Sequence, residues 1–167
     1  MSMAGAVAPR VRTVWLAAAT VAAIFLVTAV RPGTAVAAPC LTDDAVFSAV
    51  NAEQCYQVPA GVTRIHVVAV GGKGAGGAGG FGATASSDLA VTPGPLFVEV
   101  AGNGRAAGGF NGGGTGNSGG GAGASDVRTC STASTCPALG STGDPRLIVA
   151  GGGGGQGDTG SPGGTTA

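Results

Sequence analysis

Histidine, lysine, aromatic side chains and charge are all scarce in this 167-residue chain, and each shortage excludes something. His66 is the single histidine and Lys73 the single lysine. One histidine cannot complete a zinc site, and the spacing Cys130-x5-Cys136 is not that of a zinc knuckle. Charged residues are 10% of the chain, without a basic cluster, which removes the electrostatic footprint that nucleic acid requires. Beyond an N-terminal apolar run the only aromatics are Phe47, Tyr56, Phe81, Phe97 and Phe110, so any hydrophobic core is small.

Glycine is what the chain has in excess. All but Gly5 and Gly33 of its 35 glycines lie between Gly61 and Gly164. Close to one residue in three there is glycine, yet without the strict Gly-X-Y period of a collagen helix. The N-terminus is different. Arg10 and Arg12 precede an apolar run from Val14 to Val30, followed by Arg31-Pro32-Gly33 and Ala35-Val36-Ala37. A basic start, an apolar run and a small-x-small site mark a signal peptide over residues 1–37, forming a signal helix and cleaved after Ala37. At 17 residues the run exceeds the roughly 7–15 of most leaders, so an uncleaved anchor through residues 14–30 is the alternative. Both outcomes export the remainder to the cell surface or beyond, and a membrane is a partner only in the second. That remainder carries five basic residues against eight acidic ones, a side-chain charge of about −3.

All four cysteines, Cys40, Cys55, Cys130 and Cys136, follow the cleavage site, which fits disulfides in an oxidising compartment. Three connectivities are open. Cys40–Cys55 and Cys130–Cys136 are favoured, because each pair is local and brackets a segment poor in core residues.

Residues 38–55 form a short disulfide-bounded segment, in which Thr42-Asp43-Asp44 predicts the capped start of a short helix. From residue 56 the pattern is strand, then glycine run. Val62–Val70 is the strongest strand, with Val67–Val70 expected to be buried on both faces. Thr84–Val91, Leu96–Val100 and Arg146–Ala150 follow, and glycine runs begin at Gly71, Gly102 and Gly151. Such runs lose too much backbone entropy to be helical and bring no side chains to a core. They form loops, or extended polyglycine segments packed on one another. Residues 158–167 read as a disordered tail or the truncated end of a longer chain.

The ordered series Gly108-Gly109-Phe110-Asn111-Gly112-Gly113-Gly114, Gly119-Gly120-Gly121-Ala122-Gly123-Ala124-Ser125-Asp126-Val127-Arg128 and Arg146-Leu147-Ile148-Val149-Ala150 before Gly151–Gly155 resembles a known pattern. It is similar to the glycine-rich domain of the anaplastic lymphoma kinase and leukocyte tyrosine kinase receptors, found also in bacterial exported proteins. The resemblance covers about residues 56–157. It implies an all-β fold, with a β-sandwich-like core carrying left-handed polyglycine helices, and in the receptors this domain binds small cytokines. A kinase is missing: Lys73 sits in a glycine run, and neither HRD nor DFG occurs.

Motifs of chemistry are weak. Gly74–Gly79 matches G-x-G-x-x-G after a strand, but the required helix cannot start in GAGGAGGFGA, so no cofactor is expected. Gly154-Gly155-Gln156-Gly157-Asp158 misses the calcium repeat by one position and is not repeated. His66 lies mid-strand, facing solvent or a neighbouring strand, with no serine on a nucleophile elbow. Asp126 and Arg128 flank Val127 at strand spacing and share a face, which points to a structural ion pair or backbone clamp. The expectation is an exported structural or adhesive surface protein without catalytic activity, facing an unknown extracellular macromolecule. A ligand-binding module like the receptor domain is the alternative. Intact mass of the secreted protein, with and without reductant and alkylation, checks the export reading: a chain starting at Ala38 with two disulfides is expected, and a full-length mass with free thiols contradicts it.

Overall fold

The structure, a computed structural model, describes residues 39–158 and 161–165; the expected leader and signal helix of residues 1–37 lie outside the described residues. The described part is all-β, with six strands: β1 (Gln54–Val58), β2 (Arg64–Val70), β3 (Thr84–Ala90), β4 (Gly94–Glu99), β5 (Ser125–Arg128) and β6 (Arg146–Ala150). A four-stranded antiparallel sheet has the order β1-β4-β5-β6, and β2 and β3 form a separate antiparallel ribbon.

The two faces of the larger sheet follow from the period-2 alternation of strands. Val58, Leu96, Val127 and Ile148 point to one side, where Leu89 of β3 joins them in a buried cluster, with Ile65 and Val67 of β2 packed against it. The core thus draws on both sheets. Ser125 ties them by hydrogen bonds as well: its hydroxyl donates to the Val70 carbonyl (2.6 Å) and accepts the Ala101 N–H (2.9 Å).

Two expectations, one about a strand and one about a helix, need correction. Val68 and Val70 are more than half exposed, because the ribbon is covered on one face only. Residues 42–50 contain no helix. Cys40 is bonded to Cys55, which brings the preceding segment alongside β1; Leu41 accepts from Gln57 N–H (2.7 Å) and donates to the Cys55 carbonyl (3.1 Å). Val50 likewise bridges Val100. Tethered at both ends to the sheet, this stretch stays extended and Val46 is left 91% exposed. The second disulfide, Cys130–Cys136, closes a loop between β5 and β6. In the chain-entropy account, closures of these lengths stabilise by about 3 and about 2 kcal/mol.

The glycine runs are ordered by backbone bonding. Residues 71–75, leaving β2, are the hub: Gly72 N–H donates to Gly123 C=O (3.2 Å), Gly74 N–H to Gly80 C=O (2.8 Å) and Ala75 N–H to Gly120 C=O (3.0 Å). The same segment accepts from Gly104 on Lys73 C=O (2.8 Å), from Gly153 on Gly72 C=O (3.0 Å) and from Gln156 on Ala75 C=O (2.9 Å). Residues 161–165 join in, since Gly154 N–H donates to Gly164 C=O and Gly163 N–H to Ala78 C=O, both 2.8 Å. Backbones approach so closely that a Cβ on Gly123 would sit 1.5 Å from Phe110 O, and one on Gly71 1.9 Å from Gly151 O. Gly123→Ala is expected to cost at least ~3 kcal/mol in denaturant unfolding, as overpacking against rigid backbone. Gly77→Ala, with open space around its Cβ and no positive φ, stays within about 1 kcal/mol of wild type.

Candidate functional site

The second face of the four-stranded sheet holds the polar side chains. Register sets them in two adjacent rows: Cys55, Phe97 and Arg128 in one, Glu99, Asp126 and Val149 in the next. Asp126 and Arg128 are 2% and 6% exposed, and the structure brings them together in a two-pronged pair, Arg128 Nε on Asp126 Oδ1 and the terminal nitrogen on Oδ2 at 2.8 Å. Asn111 completes the network. Its amide donates to Asp126 Oδ2 (2.9 Å) and to the Ala124 carbonyl (2.8 Å), and its Oδ1 accepts from Arg128 (2.9 Å). Asn111 sits at φ 67°, a left-handed turn conformation that asparagine tolerates better than most residues. The pair thus carries the glycine loop 108–114 onto β5, and the hydrogen bond to Asp126 holds Arg128 firmly protonated, above its usual pKa.

Two further carboxylates border the pair. Burial works to raise the pKa of Glu53, but donors outweigh it: Ser131 Oγ (2.6 Å), Thr132 N–H (2.6 Å) and Thr132 Oγ1 (2.8 Å), with Arg128 nearby, leave it below its usual value. Glu53 thereby stitches the segment before β1 to the Cys130–Cys136 loop. Glu99 is 2% exposed and its Oε2 has no hydrogen-bond partner. Burial pushes its pKa up, and Glu53 and Asp126 add to that, while Arg128 opposes it. Outside this network Asp144 pairs with Arg146 through the same Asp-x-Arg spacing, and the guanidinium together with the N–H groups of Gly140 and Arg146 holds Asp144 well below the usual range.

This is an interior clamp. Two open depressions on the surface, of about 410 and 170 Å3, lie elsewhere, lined by residues 39–46 and by a loop group around Asn103 and Arg105. Among the described residues no group of three or more His, Cys, Asp or Glu is placed to hold a metal ion. The exposed chemistry lies on the outer face of the ribbon. His66, facing solvent, bonds to Asp88 (2.8 Å) and Ser86 (3.2 Å), with the exposed Val68 and Val70 further along. Phe81, beyond the ribbon, is 68% exposed under Lys73, whose Nζ is 5.2 Å from the ring centroid. Sequence reasoning singled out Asp126, Arg128 and His66 but missed Asn111, Glu53 and Glu99. Only Asp144-Pro145-Arg146 repeated a visible signal.

Removing one member of the buried pair strands the other. Asp126→Ala is expected to cost about 3–5 kcal/mol in urea unfolding, and Arg128→Met a similar amount. For Glu99 the sign runs the other way from a typical carboxylate. Its folded-state pKa is raised, so its contribution is fully present below the usual 4.5 and is lost as pH rises through the folded value. The stability of Glu99→Gln relative to wild type therefore increases from pH 5 to pH 8, measured by unfolding at each pH; a constant difference contradicts the assignment. Comparison with family models, curated proteins and solved structures finds no match for this chain.

Proposed function

We propose that this is an exported structural or adhesive surface protein, whose glycine bundle is a stiff, chemically quiet scaffold and whose ribbon face makes the contacts. The observation that carries this reading is the division of the molecule. The glycine segments spend their backbone groups on each other, while Val68, Val70 and Phe81 stand exposed on one hairpin and its extension. Large apolar side chains left in water are a source of contact energy for association. Two disulfides suit an oxidising compartment, and no helix among the described residues is long and apolar enough to cross a membrane.

Two finer features belong to the same proposal. One is a β-sandwich-like core, supported by the buried cluster shared between the two sheets. The other is a bundle of left-handed polyglycine helices of the kind implied by the resemblance to the receptor glycine-rich domain. Its support is that no glycine in 71–74, 119–123 or 151–155 takes positive φ and that these segments bond sideways to one another rather than within themselves.

Adsorption of the secreted protein to apolar and to hydrophilic sensor surfaces tests the adhesive reading. Val68→Thr, Val70→Thr and Phe81→Ser combined are expected to lower retention on the apolar surface by about tenfold or more, from lost apolar burial, with the unfolding midpoint unchanged. Equal retention of variant and wild type removes the ribbon face from the function.

A further inference from the structure

The outer face of the ribbon carries His66, Ser86 and Asp88 side by side, outside the core. Backbone bonds at its ends, Val91 N–H to Thr63 C=O (3.0 Å) and Gly71 N–H to Ala83 C=O (2.8 Å), fix which pairs exchange ladder bonds. Alternation between those ends makes Ile65↔Leu89, Val67↔Ser87 and Ala69↔Ala85 the hydrogen-bonded pairs. His66↔Asp88 and Val68↔Ser86 are then non-hydrogen-bonded pairs, in which side chains approach most closely. His66 Nδ1 accordingly lies 2.8 Å from Asp88 Oδ1, and its Nε2 lies 3.2 Å from Oγ of the diagonal residue, Ser86.

The order of these contacts matters. A carboxylate only accepts, so the bond to Asp88 places the ring proton on Nδ1 and turns the lone pair of Nε2 toward the serine hydroxyl. Nucleophile, base and orienting carboxylate are in sequence. We propose that Ser86, His66 and Asp88 form a solvent-facing acyl-transfer site for activated esters of short apolar acids, with Ser86 as nucleophile, His66 as general base and Asp88 as positioning residue. Val68, directly across from Ser86 and 59% exposed, and Val70, 57% exposed, give a short acyl chain an apolar strip beside the nucleophile.

In the first step Ser86 Oγ bonds to the ester carbonyl carbon while its proton passes to His66 Nε2. The tetrahedral adduct collapses, the carbon–oxygen bond to the leaving group breaks, and the departing oxygen takes that proton. Water then attacks the acyl-serine with His66 as base, releasing the acid and returning the proton to Ser86. The His66 and Asp88 side chains are 62% and 59% exposed, so the reacting centre is open to water. Such a site depends on a good leaving group, so nitrophenyl esters and fluorophosphonates react and amides do not. This activity adds to the structural reading and leaves it intact.

The test uses the full secreted protein with a fluorophosphonate and peptide mapping, and with p-nitrophenyl butyrate. The phosphonyl group is expected on Ser86, where the Oγ–P bond forms, fluoride leaves and His66 takes the proton. Ser118, exposed and without a base, labels about a hundredfold more slowly. Ser86→Ala and His66→Gln each abolish nitrophenolate release, and Ser118→Ala leaves it unchanged. Asp88→Asn lowers kcat about tenfold or more with KM unchanged, as a positioning role requires. All these positions are exposed, and an unchanged unfolding midpoint verifies each variant. Even labelling of exposed serines, or release that survives Ser86→Ala through the imidazole alone, overturns the proposal.

Discussion

The absence of a Cβ is the constraint on which this structure depends. Where Gly71 passes Gly151 and Gly123 passes Phe110, a carbonyl oxygen occupies the space a methyl group would need. Only at that separation do the N–H and C=O groups of non-sheet backbone reach one another, as the mutual bonds among residues 72, 122, 123 and 153 do. Buried backbone groups must be paired, and here they are paired between segments instead of within helices or regular sheets. High glycine content in this chain is therefore a packing requirement and a different thing from linker flexibility.

A fold built that way has few side chains to specify how its parts meet, and the second face of the four-stranded sheet supplies much of what is missing. Asp126 and Arg128 are both buried, and a buried ion pair is weak evidence for stability because desolvation offsets the attraction. Its value here is positional. Asn111 is held by both charges and by the Ala124 carbonyl, so one loop has a single seat on β5. Glu53 does the corresponding job for the Cys130–Cys136 loop, with three donors converging on one carboxylate. Glu99, by contrast, is buried with one oxygen unpartnered, and burial pushes its pKa up.

Much of this was legible in the sequence where the signal was local. β-branched runs ending at Gly71 and Gly151 gave β2 and β6 nearly to the residue, and short spacing pointed to both disulfides. Asp126 and Arg128 could be put on one face from the strand period alone. What stayed hidden depended on distant partners. The helix expected after Thr42 failed because a disulfide and the Leu41 and Val50 bridges commit that segment to the sheet, which no capping rule can foresee. Asn111 looked like one more residue of a glycine run, since its importance lies in meeting residues 13 to 17 positions later. His66 was placed correctly in its strand, but the register that sets Asp88 opposite and Ser86 on the diagonal is a property of the ribbon.

The glycine bundle cannot be its own source of stability. Glycine loses more backbone entropy on ordering than any other residue, and a typical hydrogen bond returns only about 0.5–1.5 kcal/mol net. The arrangement of the chain answers this. Residues 71–83 run between β2 and β3, residues 100–124 between β4 and β5, and residues 151–157 leave β6, so each segment enters the bundle from a strand already fixed by the shared core. Ser125 shows how tightly the two are joined: at the first residue of β5, one hydroxyl ties the end of β2 to the exit of β4, at the point where the glycine segments begin. Strands thus set the ends of the glycine segments, while the two disulfides close the segment before β1 and the loop between β5 and β6. A core too small to stabilise a larger fold suffices because the backbone it organises leaves few polar groups wanting.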